Sequence, residues 1–316
     1  MTCESPTHAS IAQRANERVA YFNGNIVPES EVAVSFRDRG FKYGEAVFDT
    51  ARTVRHKPFK LREHVVRLMR SLRYLGIQPP LSVDEFMQQS EAVLARNLHL
   101  IGEDEDYWIF QRVSPGTADP CDSSSARKPT VIIECTPLPL AARAPQFRDG
   151  ARVLIPATRR TPPDALSPRA KTHNYLNLLV ADREVRLQDP GAWAILLDHN
   201  GNLAEGLGSN IFLVRDGELL TPEQRYVLPG ISRDTVMELA QQESIPARET
   251  SLDLFDAFTA DECFLTSTSL CLLPVSSVNG RAIGQGVPGP VSQRLIDAYS
   301  RLLDFDFVAQ YLNKLA

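Results

Sequence analysis

Apolar residues follow two periods along the chain, and the change between these periods predicts a mixed α/β protein. Helical spacing places apolar side chains on one face in residues 61–72 and again in residues 83–98, where Ser82 and Glu85 form a capping box. Arg67 lies among the apolar neighbours of the first helix, so we expect it to point inward. Short apolar runs predict strands over residues 32–36, 107–113, 130–135, 192–198, 203–214 and 261–270.

Turn residues divide these runs into hairpins. Asn-Gly or Asp-Gly pairs between apolar residues predict tight turns at residues 23–24, 200–201, 216–217 and 279–280. A further helix is predicted from residue 230 to about residue 243, with Ser232 as its N-cap, and a last helix from about residue 290 to 303.

A change in composition predicts two domains. Pro137, Pro139 and Pro145 stand among small and polar residues, which is typical of an interdomain connection. We therefore predict a flexible N-terminal tail at 1–18, a small N-terminal domain at 19–140, a linker at 141–150 and a larger C-terminal domain at 151–316.

The stretch around Lys171 is the first candidate for chemistry. Proline-rich residues 160–168 precede this lysine, and a helix is predicted to follow it. Five apolar residues form the face of that helix, namely Leu176, Leu178, Leu179, Val180 and Val185. A lysine held partly out of water at such a position is a usable amine nucleophile, whereas the alternative is a solvated lysine before a helix.

Three other features strengthen the case for Lys171. Glu205 is a carboxylate between Ala204 and Gly206 in an apolar segment, although it could also be a solvent-facing strand residue. The helix start at 230–232, the hydroxyl-rich turn at 267–269 and the inward-leaning Arg67 could together cradle a phosphate, although each could also be a simple cap or surface charge. An amine, a buried carboxylate and a phosphate cradle are the parts that a pyridoxal 5'-phosphate site needs.

Composition excludes several other classes of protein. The net charge of -5 without blocks of like charge argues against nucleic acid or an anionic membrane as a partner. The five scattered cysteines support neither a disulfide framework nor a zinc site, so we interpret them as reduced, mostly buried thiols. Because the N-terminus has no apolar signal segment and no stretch is long enough to span a bilayer, we expect a cytoplasmic protein.

The wording and spacing of these segments resemble the class IV, or fold-type IV, pyridoxal-phosphate aminotransferases. This family includes branched-chain aminotransferases, D-amino acid aminotransferases, (R)-selective amine transaminases and aminodeoxychorismate lyases. The resemblance extends from about residue 21 to residue 303. It implies an α/β fold with a small N-terminal α/β domain and a larger C-terminal pseudo-barrel domain.

The resemblance also implies roles for particular residues. Lys171 corresponds to the lysine that forms the Schiff base and moves the proton, and Glu205 corresponds to the carboxylate that faces the pyridine nitrogen. The phosphate is expected to bind Arg67, the amides of Ile231 and Ser232, and Thr268. Tyr175 is expected near the phenolic oxygen, although branched-chain enzymes carry this tyrosine one position further from the lysine.

Substrate choice is less well determined by the sequence. The residues expected to line the substrate site are Tyr43, Phe48, Thr50, Arg52, Trp108, Phe110, Arg112, Ser269 and Leu270. The Tyr-x-Arg of branched-chain enzymes and the Arg-x-His of D-amino acid enzymes are both missing around residues 108–117, and the lysine of the lyases is missing near Phe110. An apolar pocket floor remains, with Arg52 and Arg112 as possible carboxylate binders.

These observations favour a transaminase that moves an amino group between a small amino donor and a 2-oxo acid acceptor. D-amino acids or (R)-amines are predicted slightly ahead of L-branched-chain amino acids, because the Tyr-x-Arg is absent. An aminodeoxychorismate lyase and a binding protein without catalysis are the alternatives. By resemblance to the family, we expect a homodimer or a higher homo-oligomer.

Overall fold

The computed structural model describes residues 16–117 and 128–315. The chain divides into two compact units, Met1–Leu138 and Pro139–Ala316. Most of the predicted N-terminal tail, together with Cys3 and Cys121, lies outside the described residues. At the end of that tail, Arg18 forms an ion pair with Glu29 at 3.1 Å.

The first unit is built on one antiparallel sheet. Its strands are β1 Val19–Phe22, β2 Asn25–Pro28, β3 Val47–Val54, β4 Lys57–Phe59, β5 Tyr107–Ser114 and β6 Thr130–Pro137. These six strands have the order β2-β1-β6-β5-β3-β4. The predicted turn at 23–24 joins β1 to β2, and Asn23 and Gly24 both have the positive φ angles that such a turn requires.

Helices cover one face of this sheet. They are α1 Arg39–Tyr43, α2 Leu61–Leu75 and α3 Val83–Asn97, with 3-10 turns at Glu29–Glu31 and Leu98–Leu100. The two long helices were predicted correctly, and both hydrogen bonds of the Ser82 and Glu85 capping box are present. Leu68 and Leu72 of α2 pack with Val47, Ala51 and Ile109 of the sheet to form a buried core.

The strand predicted over residues 32–36 is wrong. This segment is irregular and leads into α1, which begins after the N-cap Asp38. Val34 is 45% exposed and Phe36 is 70% exposed. The alternation of apolar residues therefore had no core to face, because it found neither a partner strand nor a packing surface in this unit.

The second unit contains a closed barrel. Its strands are β7 Ala151–Leu154, β8 Trp193–Leu197, β9 Leu203–Gly206, β10 Ser209–Arg215, β11 Glu218–Thr221, β12 Ala247–Glu249, β13 Glu262–Ser267, β14 Cys271–Val278 and β15 Arg281–Ala282. Pairing runs β10-β13-β14-β7-β8-β9, and β9 pairs back to β10, so these strands close on themselves. The α/β class and the pseudo-barrel are therefore confirmed. Parallel pairing joins β7 to β8 and to β14.

Helices surround this barrel within the second unit. They are α4 Leu140–Asp149, α5 Leu176–Arg186, α6 Ile231–Gln242, α7 Leu254–Thr259, α8 Pro290–Leu303 and α9 Phe307–Leu312. Where a linker was predicted at 141–150, the chain forms α4 despite Pro145 inside it. Leu140, Ala144 and Phe147 recur at helical spacing and are buried, so packing outweighs the unfavourable proline.

Two local predictions in this unit need correction. The N-cap of α6 is Gly230 rather than Ser232, which lies inside the first turn. The apolar face of α5 is also narrower than predicted, because Leu178 is buried whereas Leu176 and Val180 are exposed. Apolar residues on both sides of a short helix cannot all reach the same barrel surface.

The thiols and the helices agree with the exclusions made from composition. Cys135, Cys263 and Cys271 are free and buried. Burial raises the pKa of the Cys135 thiol to about 12, so this thiol stays protonated. Within residues 16–117 and 128–315, no helix is both long and apolar enough to cross a membrane.

Candidate active site

Lys171 lies in a short irregular segment just before α5, and its side chain is almost entirely buried. Only 8% of the residue is exposed. Its Nζ donates a hydrogen bond of 3.0 Å to the hydroxyl of Tyr175, the N-cap residue of α5. The surface-lysine alternative is therefore not what the structure has, and the tyrosine four residues further on contacts the amine directly.

Glu205 is the next predicted residue, and it is buried in strand β9 rather than facing solvent. Its Oε1 accepts a hydrogen bond of 2.9 Å from Arg160 Nε, and its Oε2 accepts one of 2.9 Å from the amide of Leu228. A buried carboxylate with donors on both oxygens is fixed in orientation. Each oxygen keeps a further lone pair for another donor.

Arg160 connects Glu205 with the segment that carries the lysine. Its Nη1 is 3.5 Å from Asn177 Oδ1, and the Asn177 amide group donates to the Arg159 carbonyl at 2.7 Å. Asn177 lies in the first turn of α5, shortly after Lys171 and Tyr175. The network therefore runs from the carboxylate of β9 to the helix that follows the lysine.

A row of polar side chains accompanies Glu205 across the barrel. Glu205 pairs with Asn210 on β10, and Asn210 pairs with Thr266 on β13, so the three side chains share one face of the sheet. Asn210 Nδ2 donates to the carbonyl of Leu228 at 3.0 Å. Glu205 and Asn210 thus bind both main-chain groups of Leu228 and fix the segment that enters α6.

The start of α6 is held close to the same row. A Cβ atom at Gly230 would lie 2.2 Å from Asn210 Oδ1, so only glycine fits there. Because the N-cap glycine has no side chain to bond the helix, the first-turn amides of Ile231 and Ser232 are donors suited to an anion. The structure therefore places the predicted Ile231 and Ser232 next to the segment that Glu205 anchors.

The hydroxyl-rich turn between β13 and β14 carries Thr268, Ser269 and Leu270. Thr268 is half-buried, whereas Ser269 and the side chain of Leu270 are buried. The carbonyl of Ser269 accepts a hydrogen bond of 2.6 Å from the hydroxyl of Tyr311 in α9. The C-terminal helix therefore supports this turn.

Arg67 belongs to the first unit, where it forms a buried cluster with Asp49 and His64. Its Nε and Nη2 donate to the two carboxylate oxygens of Asp49, each at 2.8 Å. His64 Nδ1 lies 2.7 Å from Asp49 Oδ1. Although burial alone raises the pKa of Asp49, the charge of Arg67 and the hydrogen bonds from His64 and Arg67 lower it well below its usual range.

The predicted substrate residues of the first unit share one face of its sheet. Strand pairing sets Phe48 opposite Arg112, Thr50 opposite Phe110 and Arg52 opposite Trp108. The ring centroids of Trp108 and Phe110 are 6.0 Å apart, so these side chains form an aromatic patch. Tyr43 lies apart from this row in α1 and is 58% exposed.

The two arginines on this face already have acidic partners. Arg52 is only 1% exposed, and its Nη2 lies 3.5 Å from Asp106 Oδ2. This burial argues against Arg52 as a binder of the substrate carboxylate. Arg112 is half-buried, bonds Glu134 at 2.8 Å and stacks over the ring of Phe110 at 4.7 Å.

Several residues of these networks were missed by the sequence reasoning. Arg160 and Asn210 bind Glu205 or its neighbour, and Asp49 binds Arg67, but all three depend on contacts between distant segments. Asp49 had one local signal, since it is a charged residue in the middle of an otherwise apolar strand. Among the described residues, no group of His, Cys, Asp and Glu side chains could hold a metal ion.

Known proteins resemble the chain along most of its length. The family model for amino-transferase class IV matches residues 46–278. The branched-chain-amino-acid aminotransferase of Escherichia coli K12 is 32% identical over 285 residues, which cover 88% of this chain and 91% of that protein.

Solved structures give the same result. A crystal structure of the Escherichia coli branched-chain amino acid aminotransferase superposes with a TM-score of 0.83 at 31% identity, covering 91% of this chain and 95% of that one. A branched-chain amino acid aminotransferase from T.th., solved with pyridoxamine 5'-phosphate, has a TM-score of 0.80 at 29% identity, covering 91% of this chain and 94% of that one.

Proposed function

Because the chain belongs to the class IV aminotransferase family and is a pyridoxal-phosphate-dependent transaminase, we propose that its amino donors are L-branched-chain amino acids and its acceptor is a 2-oxo acid. The observation that carries the choice of a hydrophobic donor is the aromatic patch of Trp108 and Phe110, with Phe48 on the same sheet face. Apolar surface of this kind suits an aliphatic side chain. The L-handedness rests on relatives about one-third identical.

The side chains of the second unit fit the cofactor. A buried amine at Lys171, a buried and oriented carboxylate at Glu205, and amide donors at Ile231 and Ser232 are chemically matched to its aldehyde, its ring nitrogen and its phosphate. When bound, pyridoxal phosphate supplies an electron sink for the carbon that loses the amino group. We assign the remaining phosphate contacts to Arg67 and Thr268.

Lys171 is proposed to be the group that moves the proton. Its Nζ accepts the proton removed from the α carbon of the donor, which requires the amine to be neutral and directed by a neighbour. The 3.0 Å hydrogen bond to Tyr175 gives that direction, since the phenol oxygen limits where Nζ can point. Burial of Lys171 also keeps bulk water away from the amine.

Glu205 is proposed to hold a negative charge opposite the ring nitrogen. Arg160 and the Leu228 amide fix the carboxylate on both oxygens, so it does not have to reorganise when a cationic partner arrives. A neutral residue at this position would leave Arg160 without its acidic partner.

D-amino acids or (R)-amines are the second candidate donors. The observation in their favour is the sequence of β5, in which Trp108, Ile109 and Phe110 stand where branched-chain enzymes carry Tyr-x-Arg. We rank this candidate second because relatives of 31–32% identity are named as branched-chain enzymes. The cytoplasmic location and the homodimer stay predictions.

Turnover of a donor panel tests the proposal. We expect purified holoenzyme to transaminate L-leucine, L-isoleucine and L-valine at least about ten times faster, by kcat/KM, than D-alanine or (R)-1-phenylethylamine, because a tenfold ratio needs only about 1.4 kcal/mol of differential binding. Each donor is measured with both pyruvate and 2-oxoglutarate as acceptors. Faster turnover of D-alanine or of the (R)-amine would reverse the ranking of the two candidates.

A further inference from the structure

A cation outside the predicted site lies against the turn that is expected to face the substrate. Arg143, in α4, donates a hydrogen bond from Nη1 to the hydroxyl of Ser269. Its guanidinium also stacks over the ring of Trp193, 5.6 Å from the ring centroid. Arg143 is half-buried, so its charge is partly removed from water.

The helix that carries Arg143 is fixed relative to the same turn by an independent contact. Phe147, one turn further along α4, stacks on Tyr311 with ring centroids 4.0 Å apart. Tyr311 in turn donates its hydroxyl hydrogen to the carbonyl of Ser269. The base of Arg143 and the turn are therefore held by one aromatic and hydrogen-bonded unit, which makes the position of the guanidinium reproducible.

A transaminase for branched-chain donors meets a problem of charge when its acceptor is a diacid. The same site must then take an aliphatic side chain in one half-reaction and a carboxylate in the other. A carboxylate leaves water at high cost unless a cation receives it. Arg52 is enclosed with Asp106, and Arg112 is bonded to Glu134, so binding a substrate carboxylate at either position would compete with an existing ion pair.

Arg143 suits the task of receiving the second carboxylate. A guanidinium has several N–H donors in a planar fork, so donation to one hydroxyl is compatible with binding a carboxylate as well. The contact with Ser269 places these donors at the turn whose backbone is expected to face the substrate. A long, half-buried arginine side chain can also rotate aside along the Trp193 ring when an aliphatic group enters.

We propose that Arg143 recognises the side-chain carboxylate of a dicarboxylic substrate pair, a five-carbon 2-oxo diacid and the amino diacid formed from it. The inference rests on the proposed function, because it assumes that the turn at Ser269 and Leu270 faces the substrate. Arg143 is thus a specificity-determining residue that selects the acceptor, and the aromatic patch of the first unit selects the donor.

The test compares diacids with monoacids in Arg143→Gln. For holoenzyme, we expect the ratio of kcat/KM for 2-oxoglutarate to that for 4-methyl-2-oxopentanoate to fall roughly tenfold or more, as expected for loss of a charge-assisted hydrogen bond. The equilibrium affinity for glutarate relative to 4-methylpentanoate, followed by absorbance without turnover, should fall by a similar factor. Arg143→Lys should restore part of both ratios because it restores the charge.

A matched control comes from the same helix. Arg148 is exposed and paired with Asp149, so Arg148→Gln removes the same charge from α4 and should leave both ratios at the wild-type value. An equal loss for diacids and monoacids in Arg143→Gln would overturn the inference and assign Arg143 a structural role. Wild-type enzyme that binds glutarate no better than 4-methylpentanoate would also overturn it.

The outcomes separate this inference from the proposed function. Failure to transaminate L-leucine contradicts the proposed donor, whereas the selectivity of Arg143 is measured on the acceptor and on an unreactive diacid. Slow leucine turnover with an Arg143-dependent diacid preference would therefore keep the inference and reject the donor. Fast leucine turnover with no effect of Arg143 would do the reverse.

Discussion

Lys171→Ala is expected to lower kcat for transamination by about 10⁴-fold or more, because it removes both the amine nucleophile and the group that moves the proton. The protein should still fold, since alanine removes a buried charge and leaves only a modest gap beside Tyr175. The measurement is single-turnover absorbance of the enzyme after incubation with pyridoxal phosphate and then with L-leucine. The long-wavelength absorbance that depends on the lysine should be missing from the variant.

Two further variants separate chemistry from packing at Lys171. Lys57→Ala removes an exposed lysine from strand β4 and should retain wild-type kcat. Tyr175→Phe removes the hydroxyl that contacts Nζ, and we expect a smaller loss of about 10-fold because one hydrogen bond is lost while the amine remains. Wild-type turnover by Lys171→Ala would reject the assignment of this lysine.

Local sequence was sufficient wherever one short segment determines its own structure. The capping box of Ser82 and Glu85 needs only residues three positions apart, and it forms as predicted. The turn at Asn23 and Gly24 likewise depends on backbone angles that these residue types tolerate. Such features are encoded by neighbours, so the helix and hairpin predictions for these segments were confirmed.

Distant pairing limited the prediction of the candidate site. The burial of Glu205 follows from closure of the barrel, in which β9 pairs with both β8 and β10. Its partners Arg160 and Leu228 lie 45 and 23 residues away in the chain. No local pattern states that these groups meet, so the sequence identified the carboxylate but not the donors that orient it.

Arg52 shows how strand alternation can mislead. Alternation correctly sets Arg52 on the same sheet face as Phe48, which suggested a role in binding substrate. The alternation carries no information about Asp106, whose carboxylate lies 3.5 Å from the arginine. A buried arginine with a buried acid is more simply explained as a structural ion pair than as a substrate ligand.

The same comparison gives Asp49 a role that the sequence did not suggest. Asp49 binds two nitrogens of Arg67 and is itself close to His64, all three residues being buried. A bidentate carboxylate fixes the plane of a guanidinium and so directs its outer N–H groups. If Arg67 binds the cofactor phosphate, Asp49 is a positioning residue for that contact.

Asp49→Asn is therefore expected to weaken pyridoxal phosphate binding by roughly 10- to 100-fold, the equivalent of one lost charge-assisted hydrogen bond. It should also lower the free energy of unfolding of the apoenzyme by about 3 kcal/mol or more, because Arg67 is left buried without its acid. The affinities of apoenzyme for pyridoxal phosphate and for pyridoxal are both measured, and their ratio reports the contribution of the phosphate. His64→Gln should change this ratio in the same direction but by less.

Asp106→Asn is the matched control, because it breaks a second buried pair of an arginine and an aspartate in the same unit. We expect it to lower the free energy of unfolding while leaving the ratio of the two affinities unchanged, since Arg52 has no proposed contact with the phosphate. An equal change of the ratio in both variants would mean that Asp49 acts through general stability. Arg67→Gln completes the set, because an unchanged ratio in that variant would reject Arg67 itself as the phosphate ligand.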